Sequence, residues 1–520
     1  MKNTDILAEN LALKEQISSL LKQLSDHESE LAFLRERIML LTQQRFGRSS
    51  EKLDSPQILL FDEAEVFAEE IEEVASDEAD VADESVVVPA HTRKKKRISL
   101  PDNLPHKDVI HDLSDAEKVC PHDGSTLKHI GEDVSRQLIY IPATVEVIRH
   151  HRLKYACPCC DQHIVTAKKP PQPIEKSFAS ASLLAHIILS KYADALPLYR
   201  QATMFKRLGI ELDTTTLANW MIRCGELVQP LINLLYDKLR EQDCLHMDET
   251  VVQVLKEAGR RADQESRMWV MTTPSASKQP VVLYHYSETR SAEVVSHLLG
   301  DSQATLMTDG CPSYTAEAKQ SERILLGCWA HARRYFVEAQ KAQPKGKQGK
   351  ADQALSLIQK LYRIEAETRD APPDVRFWRR CRESKAVLDL LRTWLDKTLD
   401  NPISKSLLGK AVTYLHNQWP KLVRYIENAD WPMDNNRAEN AIRPFVVGRK
   451  NWLFATSPKG ANASANLYSL IETAKACGME PGTYLEEILT NLPAADSVEA
   501  IEALLPWAMK STREKQNSEE

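Results

Sequence analysis

The chain has little cysteine, ten residues in 520. That density is far below what a disulfide-stapled scaffold needs, and it points to a reducing compartment. It has no apolar run approaching the roughly 18–20 residues of a membrane helix, so no membrane partner is expected. Its first nine residues are polar and acidic and lack the apolar core of a secretion signal. It also lacks positive net charge. There are 67 Lys and Arg against 74 Asp and Glu, a balance of −7, which as a total argues against a nucleic-acid partner. What is there is 42% hydrophobic and 27% charged, the composition of a soluble globular protein. The length suits about three or four domains.

The charge total hides its distribution. Residues 61–85 carry 12 acidic residues and no Lys or Arg, and without them the balance is 67 basic against 62 acidic, net +5. Few aromatics and no usable periodicity mark this stretch as a disordered linker. It runs into the basic block 93–97, Arg-Lys-Lys-Lys-Arg. A solvated linker of mixed sign is the plain reading. The sharper one is an acidic segment that masks basic surfaces until DNA displaces it.

Asn10, Ile17, Leu24, Leu31 and Ile38 recur every seven residues, and Leu13, Leu20, His27, Leu34 and Leu41 follow each by three. This a/d heptad predicts a coiled coil over residues 1–44 and hence self-association. Asn10 at an a position would help fix register. A basic, glycine-broken segment follows, in which Arg45 and Arg48 are candidates for phosphate contact.

Four cysteines gather in one window: Cys120, then Cys157, Cys159 and Cys160, with His163 nearby. Two knuckles joined by a strand pair build a zinc ribbon, because each tight turn aims two ligands at one tetrahedral site. Cys157 and Cys160 form a good CxxC, whereas the first knuckle has Asp123 where a second cysteine is expected. The ligand set read here is Cys120, Asp123, Cys157 and Cys160, with His122 or His163 as alternatives. The zinc would be structural. Residues 136–150 alternate like strands between the knuckles.

Residues 182–192 and 196–208 read as helices, the second with Tyr199, Ala202, Met204 and Phe205 inward. Gly209 ends it, and Asp213 and Thr214–Thr216 open a third helix carrying Leu217, Trp220 and Met221. Helix, short turn and helix with polar residues at its start is the helix-turn-helix pattern, a candidate DNA reader.

From residue 244 the order is three strands (244–255, 267–273, 280–287), helix (291–299), strand (304–308), helix (from 312) and strand (324–328). That is the order of a ribonuclease H-like sheet, in which the first and fourth strands are neighbours. Asp248 and Asp309 would then meet on adjacent strands. Clustered carboxylates repel unless cations sit between them, and Mg²⁺ or Mn²⁺ suits such hard oxygen ligands. Two ions would stabilise the attacking and leaving oxygens of an in-line phosphoryl displacement. A third carboxylate is expected from a later helix. Glu439 is the better candidate and Glu472 the weaker, while Glu249 should point away from Asp248 on a strand.

The blocks at 246–250 (HMDET), 308–310 (TDG), 328–334 (CWAHARR) and 435–444 (NNRAENAIRP) resemble the signatures of the insertion-sequence-66 family of bacterial transposases. The resemblance extends to the zipper, the 45–52 block, the CxxC ribbon and the helix-turn-helix, and so covers nearly the whole chain. It implies a DDE-type triad of Asp248, Asp309 and Glu439 that binds two Mg²⁺ or Mn²⁺. It also implies binding of element ends, strand nicking and 3′-OH strand transfer, a bacterial cytoplasmic setting and assistance from small accessory proteins of the same element. Asp123 departs from the family pattern in the first knuckle. Arg333, Arg334, Arg443, Arg449 and Lys450 are further candidates for DNA contact, and Arg376, Arg379, Arg380 and Trp378 are alternatives to a purely scaffolding insertion.

The expected organisation is a multidomain α/β chain. Residues 1–44 form the coiled coil and 45–100 the basic segment and acidic linker. The ribbon occupies 101–178 and the helix-turn-helix 179–240. The catalytic core occupies 241–336 and 432–492, split by a helical insertion at 337–431, and 493–520 is a tail. Two rival functions remain on sequence alone: a structure-selective nuclease of the same fold, and a DNA-binding repressor without catalysis.

Overall fold

The computed structural model describes residues 14–24, 27, 30, 31, 34, 35, 37, 38, 145–156, 164–343, 349–399 and 406–519. The described residues between 14 and 38 are helical, and Ile17, Leu20, Leu24, Leu31, Leu34 and Ile38 are exposed on that helix. Asn10, Leu13, Leu41, Arg45, Arg48, the acidic linker, the basic block, Cys120, Asp123, Cys157, Cys160 and His163 lie outside the described residues. The chain forms two compact units, Ala79–Lys169 and the remainder.

In the smaller unit β1 (Lys154–Ala156) and β2 (Ile164–Thr166) pair antiparallel, with Ala156 opposite Ile164. Ala167 N–H donates to Leu153 O at 2.9 Å and extends the pair by one rung, and Arg152 Nε donates to Ala167 O at 2.7 Å. The expected strand character at residues 145–150 is absent. These residues are irregular, and Val145 and Val147 are exposed, so their alternation has no buried face to serve.

The larger unit opens with α1 (Ala181–Tyr192), α2 (Leu198–Arg207), α3 (Thr214–Leu227) and α4 (Gln229–Arg240). Ser180 caps α1 through the Leu183 N–H at 3.2 Å. On α2 the buried stripe is Leu198, Gln201 and Phe205, spaced three and four residues apart. Tyr199 and Met204, read from sequence as inward, lie off that stripe and are exposed. Leu217, Trp220, Met221 and Cys224 bury one face of α3. Gly225 completes that face, because a Cβ there would stand 2.6 Å from Ala463 Cα.

The sheet has the order β5-β4-β3-β6-β7, built from β3 (Cys244–Gln253), β4 (Glu265–Thr272), β5 (Val282–Ser287), β6 (Thr305–Thr308) and β7 (Leu325–Gly327). β3 pairs antiparallel with β4 and parallel with β6, so the first and fourth strands are neighbours as the sequence order implies. Helices α5 (Ala292–Leu299) and α6 (Pro312–Ser321) make the two crossovers. The edge of β5 is closed by a helix, α13 (Pro458–Ala476), rather than by another strand. Ser469 Oγ accepts from Tyr284 N at 2.8 Å, and Thr473 Oγ1 donates to Val282 O at 2.9 Å. Hydroxyls on α13 thus satisfy an edge that would otherwise pair with a second chain. The small residues of 460–465 (GANASA) let α13 sit centrally, buried on most of its surface.

After β7 comes α7 (Trp329–Lys341), followed by α8 (Lys350–Glu367), α9 (Pro373–Arg379), which continues through a π turn into α10 (Lys385–Leu399), and α11 (Leu407–Leu422). These helices bury their own core of Trp329, Phe336, Ile358, Leu361, Leu391, Leu395, Leu415 and Tyr425. The chain then returns to the sheet as α12 (Asn436–Trp452), passes through α13 and ends in α14 (Pro481–Asn491), α15 (Val498–Glu502) and α16 (Pro506–Glu519). Among the described residues no helix is long and apolar enough to cross a membrane.

Arg376, Arg379 and Arg380 are tied into the insertion itself. Arg380 is buried, with Nε 2.9 Å from Glu365 Oε1 and Nη1 2.9 Å from Tyr425 O. Arg376 donates to the Thr368, Arg369, Ala371 and Ala429 carbonyls, and Arg379 pairs with Glu367 and Glu383. Held this way, none of the three projects free toward DNA; Trp378 is the exposed member of that set. Arg380→Ala should cost about 3–5 kcal/mol in denaturant unfolding, because it leaves Glu365 without its partner. A loss of DNA affinity without loss of stability would contradict this assignment.

Candidate active site

The site forms where β3, the end of β6, the start of α7 and the start of α12 meet. Asp248 lies midway along β3. The β3–β6 register runs Cys244 to Thr305, Leu245 to Leu306 and His246 to Met307, so Asp248 comes level with Asp309 just past the strand end. Asp248 is half-buried and accepts from the Glu249 N–H at 2.8 Å. Burial pushes its carboxyl well above the usual range, and the charges of Glu249, Asp309 and Glu439 push it further. Asp309 is also raised by burial, against the pull of the Cys311 N–H and of Arg290, Arg334 and Lys421. The Cys311 N–H reaches Asp309 Oδ1 at 3.0 Å.

Glu439 sits in the first turn of α12 and is buried. Its Oε1 lies 3.3 Å from His331 Nδ1 and 4.0 Å from Cys328 Sγ. Cys328 is the N-cap of α7, and His331 follows one turn later. Burial lowers His331 to about 3, so the imidazole is neutral. The structure therefore brings Asp248, Asp309 and Glu439 into one electrostatic neighbourhood. Glu472, the weaker third candidate, pairs instead with Lys475 at 2.9 Å on α13. Glu249, next along β3, is held by its own partners, though its charge still raises Asp248. It accepts from Tyr314 Oη at 2.6 Å and pairs with Arg290.

Asn435 fixes α12 against β3. It is fully buried, and its Nδ2 donates to Met247 O at 2.9 Å. Its Oδ1 therefore accepts, and His246 Nδ1 donates to it at 3.1 Å. The Asn435 N–H points to Cys328 Sγ at 3.2 Å. The N-cap is Asn435, not Asp434 as the sequence suggests; Asp434, one residue earlier, accepts from the Asn436 N–H at 3.2 Å. Sequence reasoning singled out the block around Asn435 but missed this staple. Its only signal was a buried-type polar residue at a helix start.

The cations around the site differ in part from those expected. Arg334 faces Asp309, whereas Arg333 faces Tyr362 of the insertion. Arg290 and Lys421 also act on Asp309, and neither is legible in the sequence, since they come from separate elements. Lys421 Nζ donates to Thr315 Oγ1 at 2.8 Å. Arg443 is half-buried midway along α12, and Arg449 and Lys450 lie in its last turn. Arg449 Nη1 reaches Thr250 Oγ1 at 3.2 Å. Arg443 stands one turn on from Glu439 along the same helix.

Comparison with known proteins assigns this arrangement. The chain matches the family model described as "Transposase IS66 family" over residues 176–463, more than half its length. It also matches the zinc-finger binding domain of transposase IS66 over 117–161, the IS66 C-terminal element over 469–507, and a model described as "Transposase C of IS166 homeodomain" over 33–109. Among curated proteins, the uncharacterized protein y4jD of Sinorhizobium fredii is 32% identical over 79% of this chain and 82% of its own length. The uncharacterized protein y4qI of the same organism is 30% identical over 92% and 89%. No solved structure matches significantly. With matched segments spanning the ribbon, the sheet and the C-terminal helices, the chain belongs to the IS66 family of transposases, and it is a DNA-binding DNA transposase.

Proposed function

We propose that the five-stranded sheet is a ribonuclease H-like core whose Asp248, Asp309 and Glu439 bind two Mg²⁺ or Mn²⁺ for DNA strand nicking and 3′-OH strand transfer. The observation that carries this reading is the β3–β6 register, which sets Asp248 level with Asp309. A half-buried carboxylate facing two others on a neighbouring strand and helix is costly unless cations offset it. All three side chains offer hard oxygen ligands, which fit such ions. When bound, the ions would supply Lewis-acid polarisation of phosphoryl oxygens and a lowered pKa for the attacking water or hydroxyl.

The chain's own residues do the rest. β3 and β6 hold the two aspartates on adjacent strands, and Asn435 holds the first turn of α12 so that Glu439 faces them. Arg334, Arg290 and Lys421, around Asp309, are suited to hold the phosphates that flank the scissile bond. No protein nucleophile is required.

End recognition follows from the remaining parts. Cys120, Asp123, Cys157 and Cys160 would hold a structural zinc in the ribbon. Thr214, Thr215, Asn219 and Arg223 lie exposed on α3 and are available to DNA, consistent with a helix-turn-helix role. Arg45 and Arg48 with Arg333, Arg443, Arg449 and Lys450 would add phosphate contacts. The exposed heptad residues of the N-terminal helix support pairing of two protomers as a coiled coil, so that two element ends share one complex. Small accessory proteins of the same element would assist.

The test uses pre-nicked element ends, a plasmid target and Mg²⁺ or Mn²⁺. Glu439→Gln should abolish joined products, and Glu472→Gln should retain them. Joining that survives Glu439→Gln would remove that residue from the triad. Cutting without joining by the wild type would favour the nuclease reading.

A further inference from the structure

Cys328, His331 and Glu439 bring three different donor atoms, a sulfur, a nitrogen and an oxygen, all within 4.8 Å of one another. His331 Nδ1 is buried and makes no hydrogen bond, although Glu439 Oε1 is 3.3 Å away. A ring nitrogen and a carboxylate oxygen at that distance with no aligned N–H between them are poorly matched, unless a cation joins them. Donors around a tetrahedral ion with bonds of about 2.0–2.3 Å stand about 3.3–3.8 Å apart. The nitrogen–oxygen pair fits that spacing, and the sulfur, 4.0 Å from the same oxygen and within 4.8 Å of the nitrogen, has to move inward to complete it.

The local fold explains the convergence. Cys328 and His331 are an N-cap and the third residue of α7, three positions apart and therefore on one side of the first turn. Glu439 enters from the first turn of α12, so two helix starts close on the same point. The sulfur is oriented by the Asn435 N–H at 3.2 Å, the kind of outer hydrogen bond that fixes a metal ligand.

We propose that Cys328, His331 and Glu439 form a second metal site, selective for a thiophilic divalent ion such as Zn²⁺ and separate from the zinc ribbon. Three protein ligands leave the fourth tetrahedral position open. Binding releases the thiol proton to solvent and leaves a thiolate on the ion. The binding itself does not depend on the catalytic triad. Only its consequence does: an ion held here occupies the Glu439 carboxylate and withdraws it from Asp248 and Asp309.

The test is zinc stoichiometry of the full chain without DNA. Wild type, Cys328→Ser and His331→Ala are equilibrated with Zn²⁺ and separated from free ion, and metal per chain is measured by mass spectrometry. Thermal melting establishes that each is folded. The expected result is about one zinc fewer per chain in folded Cys328→Ser, and at least tenfold weaker affinity for that same zinc in His331→Ala. Unchanged zinc content and affinity in both folded variants would overturn the proposal. Should Cys328→Ser fail to fold, His331→Ala decides alone. Strand transfer is not measured, so an error in the triad assignment would appear in the Glu439→Gln assay and not here.

Discussion

Asp309→Asn is expected to lower strand transfer by at least about a thousandfold, the scale on which removing a preorganised charge from a transition-state site acts. The same substitution should leave the metal-free protein as stable as wild type or more stable. Both effects follow from one feature. Asp248 and Asp309 are raised by burial, and the Asp309 charge also raises Asp248, so the folded chain is strained by charges it needs only when cations are bound. A group whose folded pKa is raised contributes stability below its unfolded value, about 4 for Asp. That contribution is lost as pH rises through the folded value. Metal-free wild type should therefore lose stability relative to Asp309→Asn as pH is brought from about 4 toward neutral. Mg²⁺ should close the gap by stabilising the wild type more than the variant. Thermal melts across that pH range with and without Mg²⁺, together with single-turnover joining, check all of this. A variant that melts below wild type at neutral pH without metal would show that Asp309 is structural.

The parts of this fold that were legible from sequence were those with strong local signals. β-branched runs gave each strand of the sheet to within about two residues, and strand order followed from the three-strands-then-alternation pattern. The meeting of Asp248 and Asp309 then followed from that order, which sets the first and fourth strands side by side. What was not legible depended on contacts distant in sequence. Arg290 and Lys421 act on Asp309 from 19 and 112 residues away in sequence, and no spacing rule links them to it. The closure of β5 by Ser469 and Thr473 joins segments about 190 residues apart. Arg376, Arg379 and Arg380 looked like a basic patch because sequence shows charge and not its partners; Glu365, Glu367 and Glu383 neutralise it from neighbouring turns. Tyr199 and Met204 looked inward because α2 has more apolar residues than its buried stripe can use.

The same distinction makes Asn435 the most consequential residue outside the carboxylates. Asn435→Ala should destabilise the larger unit by about 2–6 kcal/mol, since it removes the partner of the buried His246 Nδ1–H and the donor to Met247 O, at about 1–3 kcal/mol each. It should also lower strand transfer, because the first turn of α12, which carries Glu439, then loses its hydrogen bonds to β3, while the Arg449–Thr250 bond anchors the far end of the helix. Asn435→Asp separates the two roles. It keeps an acceptor for His246 but removes the donor to Met247 O and adds a buried negative charge near Asp248. Its protonated form can donate again, so this variant should approach wild-type stability in mild acid and fall away as pH rises, which Asn435→Ala should not do. Denaturant unfolding at two pH values measures the difference. Equal pH dependence in the two variants would mean that the hydrogen bond to Met247 O contributes little, and that the position of Glu439 is set by the apolar face of α12.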